Sequence, residues 1–256
     1  MTTRLTTQSQ WDDYWKGTKL PLEVRRGANR ADDAILEIIE RHVPLESASV
    51  VEVGGAPGQF LAYFAAKHHV TPHVLDYSEI GCAKTTENFR LLGHGVTVHQ
   101  RDLFADPLPG PFDLVFSLGL IEHFGDLNAV VARHVAMVRP GGWLVIGCPN
   151  FTGVNHWFMK RLAPALLAEH NLATMHEMSW DGFERELSLR RVFRGYIGGF
   201  EPALFFKSER GGVRAFALTR AARLARRVLP APLLQRLGGR EFSQYLLGVY
   251  QRPVTQ

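Results

Sequence analysis

Between Ala48 and Gly147 short apolar runs alternate with longer stretches of helical period, and that alternation leaves few architectures open to the chain. Runs at 50–53, 73–76, 96–99, 112–117 and 143–147 read as strands buried on both faces. Stretches at 59–67, 80–92 and 127–138 read as helices, the last stopped by Arg139-Pro140-Gly141-Gly142 because proline cannot continue a helix and glycine accepts the turn. Strands joined through helices predict a parallel sheet covered on its faces.

The flanks extend this pattern. A helix is expected over 32–42, with Ala34, Ile35, Ile38 and Ile39 on one face, preceded by the aromatic residues Trp11, Tyr14 and Trp15. From 149 to 187 the period-2 signal is lost and the chain reads as loops and helices, whereas 193–199 and 245–250 are β-like and can return to the sheet. Between those two runs, 213–229 has the pattern of an amphipathic helix with a stripe of arginines. With 256 residues, 46% of them hydrophobic, one domain with a large core is expected: an N-terminal helical cover to 47, a core over 48–150, an insert over 151–192, and C-terminal strands with the basic helix over 193–256.

Charge and cysteine content narrow the function classes. The net charge is only +4, and residues 210–240 hold eight arginines and no acidic residue, so the rest of the chain is net acidic. No nucleic-acid-gripping face is expected, and at most weak contact of 213–229 with an anionic membrane surface. No apolar stretch is long enough to span a bilayer, and the polar first ten residues lack the apolar core of a secretory signal. Cys82 and Cys148, 66 positions apart, suggest neither disulfide nor zinc cage, and a cytoplasmic setting is expected.

Three segments carry chemistry. Val50 to Phe60 runs from a strand through Gly54-Gly55-Ala56-Pro57-Gly58 into a helix, where glycines admit close backbone approach and the helix start offers unpaired N–H groups to an anion. Asp76, followed by Tyr77, ends the second strand and can accept hydrogen bonds from two ribose hydroxyls, or cap the next helix. Arg101-Asp102-Leu103 follows the third strand, where Asp102 can receive an amino group and Leu103 cover a ring, or the three can form a solvated turn.

In this order, and followed by Phe112-Asp113-Leu114-Val115-Phe116-Ser117 and Arg139-Pro140-Gly141-Gly142-Trp143-Leu144, the segments resemble the class I S-adenosylmethionine-dependent methyltransferases of the small-molecule type. The resemblance covers about 48–150. Ala56 stands where the family's loop has its middle glycine, while Glu52, Gly54 and Gly58 match. It implies an α/β, Rossmann-like, mostly parallel seven-stranded sheet with helices on both faces, the last strand antiparallel, and a helical insert on the acceptor side. It also implies S-adenosyl-L-methionine as cofactor, with Glu52, Gly54, Gly55 and Gly58 shaping the methionine end, Asp76 and Tyr77 the ribose, Asp102 and Leu103 the adenine, and Ser117 near the methionine moiety.

The acceptor side is less determined. Leu120-Ile121-Glu122-His123 is similar to the Leu-Glu-His stretch of the small-molecule enzymes, and His123 is the candidate base, or else a pocket wall. Asn150, His156 and His170 are candidate substrate residues through the resemblance of their surroundings to an acceptor-side insert. No metal is expected, because Asn150 alone does not supply the acidic and amide ligands of a catechol-type site. The expected reaction is methyl transfer to a small acceptor, foremost to oxygen. Two alternatives stay open: a nicotinamide-dependent oxidoreductase, which lacks its Gly-x-Gly-x-x-Gly spacing here, and a non-catalytic cofactor-binding relative, to which Ala56 points. Base methylation is disfavoured, since no Asn-Pro-Pro-Tyr-type motif follows the fourth strand.

Overall fold

A computed structural model of the chain describes residues 3–200 and 238–254. The arginine-striped segment 213–229 lies outside them. The elements are α1 (Gln8–Lys16), α2 (Arg30–His42), β1 (Ser49–Val53), α3 (Gln59–His68), β2 (Thr71–Asp76), α4 (Glu79–Leu91), β3 (Thr97–Gln100), β4 (Phe112–Leu118), α5 (Leu127–Met137), β5 (Val138–Pro149), α6 (Gly153–Leu162), α7 (Pro164–Ala168), α8 (Asp181–Glu186), β6 (Arg190–Ile197) and β7 (Tyr245–Gln251). A 3₁₀ turn at Ile121–His123 follows β4, and two more, Leu172–Met175 and Glu177–Trp180, precede α8.

Helix starts follow local capping chemistry. Asn29 caps α2 by accepting from the Ala31 N–H at 2.8 Å, Ser78 caps α4 through Gly81 at 2.9 Å, and Asp126 caps α5 through Ala129 at 3.0 Å. Helix α3 begins instead on Gly58, in the left-handed region at φ 79°, so no side chain occupies its first N–H groups.

The seven strands form one sheet in the order β3-β2-β1-β4-β5-β7-β6. All adjacent pairs are parallel except those of β7, which runs antiparallel to β5 on one side and β6 on the other. Side chains alternate between two cores. Val51, Val53 and Val115 join α5 and the insert on one face, and Val50, Leu114 and Phe116 join α2 and α3 on the other.

The structure departs from the sequence reading at the end of α5. The helix stops at Met137, and Val138 with Arg139-Pro140-Gly141-Gly142 belongs to β5. Val138 pairs with Phe112 and Trp143 with Leu114, so the intervening residues form a bulge. Gly141 has φ 74°, and Gly141 and Gly142 exchange 2.9 Å backbone hydrogen bonds with Arg252 beyond β7. The proline and glycines thus end the helix and begin the strand as a bulge closed by the chain's C-terminal segment.

The insert is fastened to the sheet by a partly buried ionic knot. Arg194 of β6 donates to Asp181 at 2.8 Å and Glu184 at 2.7 Å and lies 3.3 Å from Glu177, while the Tyr250 hydroxyl donates to Glu184 at 2.8 Å. Beside it Trp180 is fully buried, its Nε1 donating to the Thr174 carbonyl at 2.7 Å.

Candidate active site

A cleft opens at the carboxyl ends of β1, β2 and β4. This is the point where strand order reverses, since β1 leads outward to β2 on one side while β4 lies on the other. Val53 and Gly54 enter it from β1, Asp76 and Tyr77 from β2, and Asp102 and Leu103 from the turn after β3. Gly119, Leu120, His123 and Phe124 close it beyond β4. Residues distant in sequence meet here because parallel strands all deliver their carboxyl ends to one edge.

Gly54 sits at φ 64°, and a side chain there would run 2.7 Å from Leu120. Gly55 leaves no room either, since an added carbon would fall 2.1 Å from Cγ of Glu52. Glu52 is buried beneath the loop with Oε2 unpartnered, and burial pushes its carboxyl up to about 8. Asp76 is 6% exposed at the cleft floor; burial raises it to about 6, opposed by backbone N–H groups of Ser78, Ala56 and Tyr77. Ser117 is fully buried and its Oγ has no partner.

One wall of the cleft was invisible in the sequence. Arg4, Thr6, Trp11 and Trp15 of the N-terminal segment line it opposite the strand ends. The arm is held by Leu5 N–H donating to His123 at 2.9 Å, Gly125 N–H donating to Thr3 at 2.8 Å, and Ser78 Oγ donating to Asp12 at 2.6 Å. Arg4 forms an ion pair with Asp102, its guanidinium 5.1 Å above the Tyr77 ring and 5.7 Å from that of Phe104. The only trace of this in the sequence is Trp11 and Trp15, one helical turn apart in a polar stretch.

At the other end of the cleft, His123 is stacked edge-on by Trp11 at 5.1 Å and faces His170 at 4.5 Å between ring centres. Its Nδ1 lies 2.9 Å from the Glu169 carbonyl, and burial, with His170 beside it, lowers the imidazole to about 4. Glu122 is 1% exposed with Oε2 unpartnered, and burial raises its carboxyl to about 8.

The remaining candidates lie elsewhere. Gly58 packs against Phe89 behind the loop. Asn150 is 1% exposed, its amide donating to the carbonyls of Arg240 at 2.8 Å and Ser243 at 2.7 Å, which joins the start of the insert to the approach to β7. His156 sits on α6 and is not among the residues lining the cleft.

The sequence profile of the methyltransferase domain family matches residues 24–191. The chain belongs to that family. Ubiquinone biosynthesis O-methyltransferase of Rhizobium leguminosarum bv. trifolii (strain WSM2304) is 31% identical over 134 residues, covering 50% of this chain and 49% of that protein. The protein of the same name from Xylella fastidiosa (strain 9a5c) is 30% identical over 152 residues, covering 57% and 56%. The chain spans about half the length of these curated relatives. The geranyl diphosphate C-methyltransferase of Streptomyces coelicolor A3(2), solved with Mg²⁺, geranyl diphosphate and S-adenosyl-L-homocysteine, shares the fold with TM-score 0.63 at 12% identity, covering 96% of this chain and 97% of that one. As a methyltransferase-domain protein the chain is of the class that uses S-adenosylmethionine, and its cleft fits that cofactor. Asp76 sets a nearly buried carboxylate at the cleft floor, Gly54 and Gly55 carry no side chain into the loop, and the buried Ser117 hydroxyl is unpartnered. Among the described residues no helix is long and apolar enough to cross a membrane.

Proposed function

We propose that the protein transfers a methyl group from S-adenosylmethionine to the hydroxyl oxygen of a small molecule. The observation that carries this reading is the convergence, in one cleft at the switch point of the sheet, of Gly54, Asp76 and Asp102 at one end with His123 at the other. Bound there, the cofactor supplies a methyl group on a sulfonium, already activated, so the chain's task is to align the acceptor and exclude water.

Asp76 receives the ribose hydroxyls, and Leu103 with Tyr77 encloses the adenine. Trp11, Trp15 and Leu120 wall the path between the two ends with apolar surface and keep it dry. His123 meets the acceptor, because among the described residues it is the only titratable side chain lining the cleft at the β4 end. The relatives named for O-methylation support oxygen over nitrogen as the accepting atom.

The test is His123→Ala, assayed with labelled cofactor against hydroxylated metabolites of the source organism. Turnover is expected to fall by about 10²–10⁴-fold with S-adenosylhomocysteine affinity unchanged. Loss of cofactor affinity in a folded variant, or unchanged turnover, would remove His123 from the acceptor end.

A further inference from the structure

At the acceptor end three side chains meet, each with an acceptor atom that takes no hydrogen bond from the described residues: Oε2 of Glu122 and Nε2 of His123 and His170. The turn Ile121–His123 sets Glu122 beside His123, which lines the cleft, and His170 comes from beyond α7. Asn171 anchors it there: its N–H donates to the Glu122 carbonyl at 2.7 Å and its side-chain amide to the Phe124 carbonyl at 3.0 Å. Each of the three residues then offers one ligand atom within 4.8 Å of the other two.

The hydrogen bonds of the two imidazoles settle their tautomers. Nδ1 of His123 lies 2.9 Å from the Glu169 carbonyl and Nδ1 of His170 lies 2.6 Å from the Leu166 carbonyl. A carbonyl only accepts, so Nδ1 carries the proton in both rings, and Nε2 is the nitrogen with a free lone pair. His123 Nε2 stands 3.9 Å from Oε1 of Glu122, whose other oxygen is buried without any partner. Oε2 of Glu122 is a buried acceptor without a partner, and with the two nitrogen lone pairs near it the three atoms form a set that a cation can satisfy together. An Nδ1–H held by a backbone carbonyl is also the outer bond that orients metal-ligating histidines. Trp11 against His123 and Phe151 against His170, at 5.1 and 5.0 Å between ring centres, complete an apolar surround.

We propose that Glu122, His123 and His170 bind a divalent transition-metal ion at the acceptor end of the cleft. Two imidazoles and one carboxylate favour zinc, cobalt or iron(II) over magnesium and calcium, which prefer all-oxygen shells. Three protein ligands leave a position free, and His123 already lines the cleft, so that position opens toward the acceptor. The inference rests on the reading of this cleft as a methyl-transfer site, and it gives the ion a task there. Coordination lowers the pKa of the acceptor hydroxyl, whose proton passes to water. The oxygen then bonds to the methyl carbon as the carbon–sulfur bond breaks, its electron pair staying on sulfur.

The experiment uses the full chain freed of metal by chelation, titrated with Co²⁺ and followed by its visible absorption, with Zn²⁺ and Mg²⁺ as competitors. S-adenosylhomocysteine binding by calorimetry certifies the fold of each sample. Binding of one Co²⁺ per chain is expected, displaced by Zn²⁺ and not by Mg²⁺, and weakened at least tenfold in His170→Ala, His170→Gln and Glu122→Gln with S-adenosylhomocysteine affinity unchanged. A cofactor-binding wild type that takes up no Co²⁺ overturns the proposal, as does unchanged Co²⁺ affinity in all three variants. The two readings fail separately. Methyl transfer by enzyme that binds no metal leaves the function standing without the ion, and metal uptake without methyl transfer to any hydroxyl compound does the reverse.

Discussion

Asp76 concentrates the chemistry of the cofactor end in one group. Burial raises its carboxyl to about 6, yet only the ionised form accepts two hydroxyl donors at full strength. Cofactor binding therefore draws its pKa down and releases a proton near pH 6. Affinity for S-adenosylhomocysteine is expected to rise from pH 5 to 7 and level off above, and calorimetry in buffers of different ionisation enthalpy detects the proton. Asp76→Asn should flatten the profile, and Asp76→Ala should weaken binding about tenfold or more, the equivalent of about 1.5–3 kcal/mol for a charged hydrogen-bond acceptor. A folded Asp76→Ala variant with unchanged affinity would reduce the residue to the partner of Ser78 N–H at 2.9 Å.

At the level of elements, the sequence was legible where periodicity speaks and silent where distant segments meet. The five core strands fall at or within a few residues of their expected positions, most plainly β1 and β4, whose nearly continuous burial carries an apolar signal, and least plainly β3, whose four residues are exposed or half-buried. The bulge at Arg139–Gly142 was hidden, since proline and glycine mark the end of a helix and a strand bulge alike. Gly54, Asp76, Asp102 and His123 could be singled out because each sits at the end of a strand and shares the cleft with the others. The role of α1 as a cleft wall and the meeting of His123 with His170 could not, because neither depends on local pattern. The junction of α8 with β6 and β7 is of this second kind and invites a direct measurement. Arg194 is 8% exposed and Glu184 11%, so Arg194→Ala takes from a nearly buried carboxylate its closest cation and leaves it the Tyr250 hydroxyl at 2.8 Å and Arg191 at 3.3 Å. A loss of about 3 kcal/mol is expected in urea unfolding, with the insert released first in hydrogen exchange. A loss below about 1 kcal/mol would mean that water compensates the knot.

For the whole molecule, the buried acids of the cleft set how stability varies with pH. Glu52 at about 8 and Asp76 at about 6 both titrate above their unfolded values of about 4. Above about pH 6.5, where His123 and His134, lowered to about 4 in the folded state, are mostly neutral in both states, the folded state therefore holds more protons than the unfolded state, so stability falls as pH rises from there to about 8. Thermal midpoints of the cofactor-free protein should decline from pH 6.5 to 8, and Glu52→Gln should remove part of the slope, with Glu122, also at about 8, supplying the rest. A midpoint that climbs across this range would mean that Glu52 is ionised and solvated in the folded state. Bound cofactor should offset the decline, since it stabilises only the folded form.

Strand β7 joins its neighbours on both sides, pairing with β5 along seven residues and with β6 from Tyr245 to Gln251. During synthesis β6 emerges at Arg190–Ile197, but the strand that links it to β5 begins only at Tyr245. Until the ribosome delivers that strand, β5 presents an open edge of unpaired N–H and carbonyl groups, and the nascent sheet is a template for any other extended chain. The sheet thus closes only once Tyr245–Gln251 has emerged, and a product terminated before Tyr245 should collect in inclusion bodies even though it encodes every residue of the cleft.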